Sequence, residues 1–309
     1  MTMQKNTIIN APKIHIIITV FNGWKQTRCC LDALISNGHK NIEIIVVDHG
    51  STDGTKTDLP VNYPEVLHVI GDPSLWWAGA TNLGIREAIS RGAETIMLLN
   101  NDCYIEPDTI AQLINHSKKK AQAIIAPVQK DFATDEYLCT TYRECFLLGF
   151  ASIASRTITA KPSNKNALIS RKLIAGGRGV IIPLNVFKEV GLFDEVALPH
   201  YGADHDFYLR CRKHGIPLYV ALDSTVYIDQ TRTSSAARPQ DLTLKEFYQT
   251  LFNRRSHRNL HDLTILFKKH YPIKHFYYLG VVLNITRYFL VYLWQRTTGR
   301  FFIKYFNQK

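Results

Sequence analysis

The sequence has no Cys-x-x-Cys pair, no internal repeat, no low-complexity tract and no apolar run at its start. Its six cysteines (Cys29, Cys30, Cys103, Cys139, Cys145, Cys211) fall at irregular spacings. That excludes a zinc-ribbon or disulfide-scaffold framework and reads as buried thiols in a reducing cytosol. The opening MTMQKNTIINAPK lacks the apolar core of a signal peptide, so the body is expected on the cytoplasmic side. Acidic residues are scarce at one end. Residues 232–309 hold 14 Lys+Arg against 3 Asp+Glu, whereas residues 1–231 balance 23 against 23. A neutral body therefore carries a basic tail, which accounts for the whole net charge of +11. No recognised nucleic-acid motif accompanies that charge, so no nucleic-acid partner is expected. With 46% hydrophobic and 20% charged residues, the 309-residue chain is globular, large enough for one α/β domain and an appendage.

The first half alternates strand-like and helix-like segments. Ile14–Phe21, Ile42–Val47, Leu67–Ile70, Thr95–Leu99 and Ala123–Pro127 are short, mostly β-branched runs suited to strands buried on both faces. Between them Lys25–Ser36, the Ala80–Arg91 region and Pro107–Lys119 carry helical spacing. Short connections predict a mostly parallel, Rossmann-like sheet with helices on both faces. The pattern weakens over 131–172, which fits either antiparallel strands or a loop. It returns with the glycine-rich Gly176-Gly177-Arg178-Gly179 and its strand, a helix over Asn185–Val190, a helix holding Tyr208–His214, and strands Leu218–Leu222 and Ser224–Asp229.

Open parallel sheets bind ligands beyond the carboxyl ends of their strands. The first strand ends at Phe21-Asn22-Gly23, the second at Asp48 and the fourth at Asn101-Asp102. These residue types suit a nucleoside diphosphate: Phe21 can cover a base, Asp48 can accept from a base or ribose, and Asp102 can hold a divalent cation, Mg2+ or Mn2+, bridging phosphates. Arg178 can meet a diphosphate. Capped loops at 48–54 and 100–107 are the plain alternative, as partial core is for Trp76 and Trp77.

The blocks FNG (21–23), VVDHGSTDGT (46–55), LWWAGATNLGIR (75–86), LLNNDCYIEPD (98–108), GLFDE (191–195) and HYGADHDFYLRCRKHG (200–215) resemble, in order, family 2 glycosyltransferases of the GT-A fold. Those of rhamnosyltransferase type look most similar. The resemblance covers roughly 14–230. It implies an inverting transfer of a sugar from a nucleotide-diphosphate sugar to an acceptor hydroxyl in surface polysaccharide or glycolipid assembly. Asp48 matches the nucleoside contact, Asn100-Asn101-Asp102 the DxD-type motif with Asp102 on metal and diphosphate, and Asp204 the general base. Together the strand-end map and the resemblance give a nucleotide-sugar site of Phe21, Asn22, Asp48, Trp77, Gly79, Asn82, Asn101, Asp102 and Arg178. Three positions depart from the family: His49 replaces a second Asp, Ala203 replaces the Glu beside the base, and Ile228 stands where a metal-binding His is common. Asp229 is a candidate substitute ligand. Asp206 is expected to cap the helix after it. A nucleotidyltransferase and a non-catalytic nucleotide-sugar binder are the rival readings.

Ser234–Gln240 is polar and marks a boundary, dividing the chain into a catalytic domain, 1–235, and a helical, basic, aromatic region, 236–309. Within the latter, FYYLGVVLNITRYFLVYLW (276–294) approaches the length of a membrane span but contains Asn284, Arg287 and five Tyr or Trp residues. Such a segment fits a helix lying on an anionic membrane surface, or a bundle packed on the catalytic domain.

Overall fold

The computed structural model describes residues 13–37, 41–155, 167–231 and 242–306, with side chains as far as 297. The expectations for the N-terminal residues 1–12 and for the boundary at 234–240 lie outside these. Four strands, β1 (Ile14–Val20), β2 (Ile42–Asp48), β3 (Leu67–Ile70) and β4 (Thr95–Asn100), form the parallel half of the main sheet in the order β3-β2-β1-β4. Next along the chain come β5 (Cys103–Ile105) and β6 (Ile124–Asp131). The weakly patterned stretch folds as β7 (Thr141–Cys145), β8 (Phe150–Ala154), β9 (Leu168–Arg171) and β10 (Leu173–Ile174). Of these, β10, β7 and β8 make a small antiparallel sheet, so the antiparallel alternative is the one observed. β11 (Val180–Pro183) and β12 (Leu218–Ile228) extend the main sheet to β4-β11-β6-β12-β5, with β9 also on β12. The two strands expected at 218–222 and 224–229 are one strand whose register slips between Ala221 and Thr225.

The helices are α1 (Trp24–Ser36), α2 (Thr55–Asn62), α3 (Trp76–Ser90), α4 (Thr109–Lys119), α5 (Leu184–Val190), α6 (Ala203–Lys213), α7 (Leu244–Thr250), α8 (Leu260–His270) and α9 (Tyr277–Phe306). Successive side chains of a strand point to opposite faces. Ile17 accordingly joins Ala80 and Ile85 of α3 and Phe207 of α6 in one core, while Ile16 and Ile18 join Leu31 and Leu34 of α1 and Leu113 of α4 in the other. A doubly covered, mostly parallel sheet is the architecture the alternation predicts.

The C-terminal helices fold onto this body, α8 against α6 and β8, and α9 against α8 and β8. At the crossing, Gly149 holds φ +73, and a Cβ there would come within 2.7 Å of the Asn284 backbone nitrogen. The Asn284 side chain, 1% exposed, donates to the Gly149 carbonyl at 2.7 Å. Arg287 lies over the rings of Phe150 and Tyr288. The two polar residues that break the apolar run thus face the protein. The opposite side of α9 presents Tyr278, Leu279, Val282, Leu283, Thr286, Phe289, Leu290, Leu293, Trp294 and Thr297 to the outside, with no charge among them.

Candidate active site

Register places the strand ends level. Val20 pairs with Asp48, and Thr19 with Asn100, so β1, β2 and β4 deliver their next residues to one edge. β11 runs the other way, which brings the 176–179 turn to the same edge: the Gly179 N–H bonds Leu98 O at 2.8 Å. Opposite it, Gly202 precedes α6, whose first turn carries Asp204. A cavity of about 650 Å³ opens there, lined by Trp77, Asn100, Asp102, the 176–178 turn and Asp204.

Three of the expected residues brace the loops of this edge. Asn22, in the left-handed region at φ 60, accepts from the backbone N–H of Thr52 at 2.7 Å and of Asp53 at 3.2 Å. Asn tolerates that conformation better than most residues because its short amide bonds locally. Asn101 donates to Thr27 Oγ1 at 3.0 Å. Asp48, 2% exposed, accepts the Ser51 N–H at 2.8 Å and leaves its second oxygen 3.8 Å from His68 Nε2. In front of it Phe21, 41% exposed, stacks on His49 with centroids 5.4 Å apart. The unexpected histidine thus extends the aromatic face.

Of the expected site residues, Trp77, Asp102, Arg178 and Asp204 line the cavity; Phe21, Asn22, Asp48 and Asn101 sit on the adjoining loops outside its lining, and Gly79 and Asn82 are turned to packing. A Cβ on Gly79 would meet Leu75 at 3.1 Å. Asn82 donates to Phe193 O at 2.9 Å and to Glu195 Oε2 at 2.7 Å, and accepts the Phe193 N–H at 3.1 Å. Both serve the packing of α3 on the 191–195 loop. Trp77 does reach the cavity; its indole Nε1–H donates to Asn100 Oδ1 at 3.2 Å and its ring meets Phe193 edge-on. It is partly core and partly wall.

Burial pushes the Asp102 carboxyl up, and the Arg178 charge opposes that shift. Arg178 itself is held by Gln129 Oε1 at 3.2 Å. Burial pushes His49, His200 and His205 down, so these imidazoles are neutral near pH 7. As for the departures, Ala203 is fully buried in the core and Ile228 is 1% exposed. Asp229 accepts the backbone N–H and hydroxyl of Thr231 at 2.9 and 2.6 Å and Tyr104 OH at 3.3 Å; it is not among the cavity-lining residues, but its charge adds to the upward push on the Asp102 carboxyl. Among the described residues no three His, Cys, Asp or Glu groups converge as a cation site. The cysteines are free, with Cys30, Cys103 and Cys211 buried and Cys29 exposed, so the expectation of buried thiols holds for only part of the set.

Asp206 is not a cap. It lies inside the first turn of α6 with no exposure, bonded to Arg210 at 2.8 Å, Lys269 at 2.9 Å and His270 at 2.7 Å. Lys269 also reaches Asp194 at 2.7 Å. This network ties α6 and the 191–195 loop to α8. The sequence reading also missed Tyr142, His200, Tyr201, His257, Asp262 and Tyr288, all of which line the cavity. Two of them, His200 and Tyr201, lie in the block at 200–215, whose signal was carried by Ala203, Asp204 and Asp206. The last three carry no motif and stand in the tail that charge had marked as membrane-facing.

A parallel sheet with a diphosphate-sized cavity at its carboxyl edge, covered by an antiparallel extension, defines a GT-A type sugar-transferase fold. Residues 15–172, half of the chain, match the profile described as "Glycosyl transferase family 2", and the chain belongs to that family. It is an enzyme, a glycosyltransferase. It is 27% identical over 286 residues to the "Uncharacterized glycosyltransferase RT0329" of Rickettsia typhi, covering 88% of this chain and 84% of that one. It is 26% identical to the "dTDP-rhamnosyl transferase RfbF" of Shigella flexneri, covering 68% and 67%. Among solved structures it is similar in fold to GalNAc-T7 with UDP, GalNAc and Mn2+, at TM-score 0.62, 14% identity and coverage of 87% and 55%. It is similar also to Staphylococcus aureus TarS 1–349, at TM-score 0.54, 15% identity and coverage of 88% and 89%.

Proposed function

We propose that the enzyme transfers a sugar, with inversion, from a UDP-, dTDP- or GDP-sugar to a hydroxyl of a glycan or lipid-linked acceptor at the cytoplasmic face of the membrane. The observation that carries this reading is that Asp102, Arg178 and Asp204 line one cavity at the carboxyl edge of the sheet. The base lies over Phe21 and His49 with Asp48 behind them, and the diphosphate lies by Arg178. Asp204 takes the proton from the acceptor hydroxyl as its oxygen bonds the anomeric carbon. The carbon–oxygen bond to the phosphate breaks on the opposite side, and its electron pair leaves on the nucleoside diphosphate. Arg178 offsets the charge that develops there.

A divalent cation, Mg2+ or Mn2+, fits this donor set in a limited way. Asp102 offers one carboxylate, while Asn100 is spent on Trp77 and Asp229 on Thr231. One protein carboxylate plus phosphate oxygens and water is a common arrangement for Mg2+. The cation would be held by Asp102 together with the donor and would neutralise the departing diphosphate.

Membrane attachment rests on α9. Residues Lys274–Thr297 are long and apolar enough to cross a membrane, but α9 packs Asn284 on the body and exposes an uncharged, aromatic-rich stripe on the other side. That form suits a helix lying in the membrane surface, with the basic region 236–309 drawn to anionic lipid.

The test is a screen of UDP-, dTDP- and GDP-sugars for release of nucleoside diphosphate. Release of pyrophosphate from a nucleoside triphosphate and a sugar 1-phosphate, with no nucleoside diphosphate released from any nucleotide sugar, would instead assign a nucleotidyltransferase. With the active donor, Asp204→Asn is expected to lower kcat by about 10²–10⁴ while leaving the donor KM within about twofold. An unchanged kcat removes Asp204 from the base role.

A further inference from the structure

Asp262, in the first turn of α8, is 4% exposed and lines the cavity, yet its Oδ2 is buried with no partner in the protein. Its Oδ1 lies 3.2 Å from His261 Nδ1, and its backbone N–H is capped by Asn259 at 3.0 Å. The partial positive charge of a helix N-terminus favours an acidic side chain in the first turn. It does not supply the hydrogen bonds that a buried carboxylate lacks, and buried polar groups left unpaired are uncommon and costly. The missing donors therefore belong to something that enters the cavity.

The chemistry of that visitor is restricted. A diphosphate is repelled by an unpaired carboxylate and is drawn to Arg178, which also lines the cavity. Neutral hydroxyls are attracted, since a carboxylate is acceptor-only and can take two adjacent O–H groups. The surroundings suit a sugar ring. Tyr201 and Tyr288 each lie 6.4 Å from the His257 ring, and Tyr288 is backed by Arg258 and Arg287 at 5.9 and 4.7 Å. His200, whose buried Nδ1 also lacks a partner, is close enough to feel both Asp262 and Asp204. Asp262 and the proposed base Asp204 thus line one cavity, with His200 within reach of both charges.

We propose that Asp262 is an acceptor-recognition residue, accepting hydrogen bonds from hydroxyls of the sugar that receives the transferred unit, on a wall shared with Tyr201, His257 and Tyr288. This rests on the transfer reaction proposed above.

The experiment uses the full chain, the nucleotide sugar that the wild type turns over, and a panel of methyl glycosides as acceptors. Nucleoside diphosphate release is measured with and without acceptor for wild type, Asp262→Asn and Asp262→Glu. The Asn variant should raise the acceptor KM tenfold or more. It should leave the donor KM and the acceptor-independent release within twofold, and Asp262→Glu should recover part of the loss. An acceptor KM within twofold of wild type overturns the assignment and leaves Asp262 to an ordered water. An equal rise in donor KM moves the contact to the donor sugar and overturns it too. Should Asp262→Asn melt before the assay temperature, the same readings on Asp262→Glu and Tyr288→Phe decide. A wild type that releases nucleoside diphosphate from no donor is a failure of the transfer reading and is seen before any variant is made.

Discussion

Asn82 and Asp102 are both polar residues of the family-like blocks, but they meet opposite surroundings. Asn82 is 1% exposed and spends its amide on Phe193 and Glu195. Removing it strands the Phe193 N–H inside the protein and leaves the Phe193 carbonyl with the Glu195 N–H alone. Asn82→Ala is therefore expected to cost about 1–3 kcal/mol of stability, read as a lowered Tm, with the donor KM little changed. A large rise in donor KM at unchanged Tm would return Asn82 to the nucleotide-sugar site. Asp102 opens on the cavity and is the one carboxylate there from the strand edge. A cation held by one carboxylate and the donor phosphates adds nothing to the empty fold. Chelation with EDTA should then weaken donor binding while leaving the Tm of the donor-free protein where it was. A Tm that falls on chelation alone would point to a structural metal.

At the scale of elements, the buried network of Asp206 connects the helix that carries Asp204 to the C-terminal region. Arg210, Lys269 and the Nε2–H of His270 hold the Asp206 carboxylate well below the usual range despite its burial. His270 is pushed down by burial and stays neutral, accepting on Nδ1 from Lys213 at 3.1 Å. A carboxyl with a lowered folded pKa contributes stability above its unfolded value of about 4 and loses it as pH falls further. Asp206→Asn should cost about 3–5 kcal/mol at pH 7, because two cations lose a buried partner. The gap from wild type should close as the pH is taken below about 4. A gap that is constant with pH would mean that packing, not charge, holds α6 to α8. This coupling was hidden in the sequence. Strands β1, β2 and β4 were legible because each is a short, mostly apolar run largely buried on both faces, and the strand-end rule then put Phe21, Asp48 and Asp102 at one edge of the sheet. Helix α2 was missed because Pro60 interrupts it, and β5 because three residues are too few for a pattern. Asp206 read as a cap because its partners, Lys269 and His270, lie more than sixty residues away. Long-range ion pairs leave no local trace.

At the scale of the whole molecule, the C-terminal helices close the cavity on one side and present an apolar face on the other. The cavity side contributes Asp262, His257 and Tyr288; the outer side contributes the stripe from Tyr278 to Thr297. Over about 28 Å of helix that stripe is joined by the exposed Tyr248 of α7 and by Phe252 just beyond its end, while Phe247 of α7 packs on Tyr292. A patch so long and free of charge is unusual on a monomer in water. Charge was legible in the sequence, but its division between faces was not, since Asn284 and Arg287 read as defects in an apolar run until their places against Gly149 and Phe150 are known. Under the proposed membrane reading, the helix that holds the body at the surface also walls the cavity through Tyr288. Replacing Leu279 and Leu290, both exposed, with Glu removes apolar area and adds charge without touching the packed side. The double variant L279E/L290E should fail to sediment with vesicles containing phosphatidylglycerol, whereas the wild type sediments. Its Tm and its donor-dependent nucleoside diphosphate release should match the wild type. Sedimentation that persists in the variant would detach the stripe from the membrane role, and a Tm that falls would show α9 to be packed on that face as well.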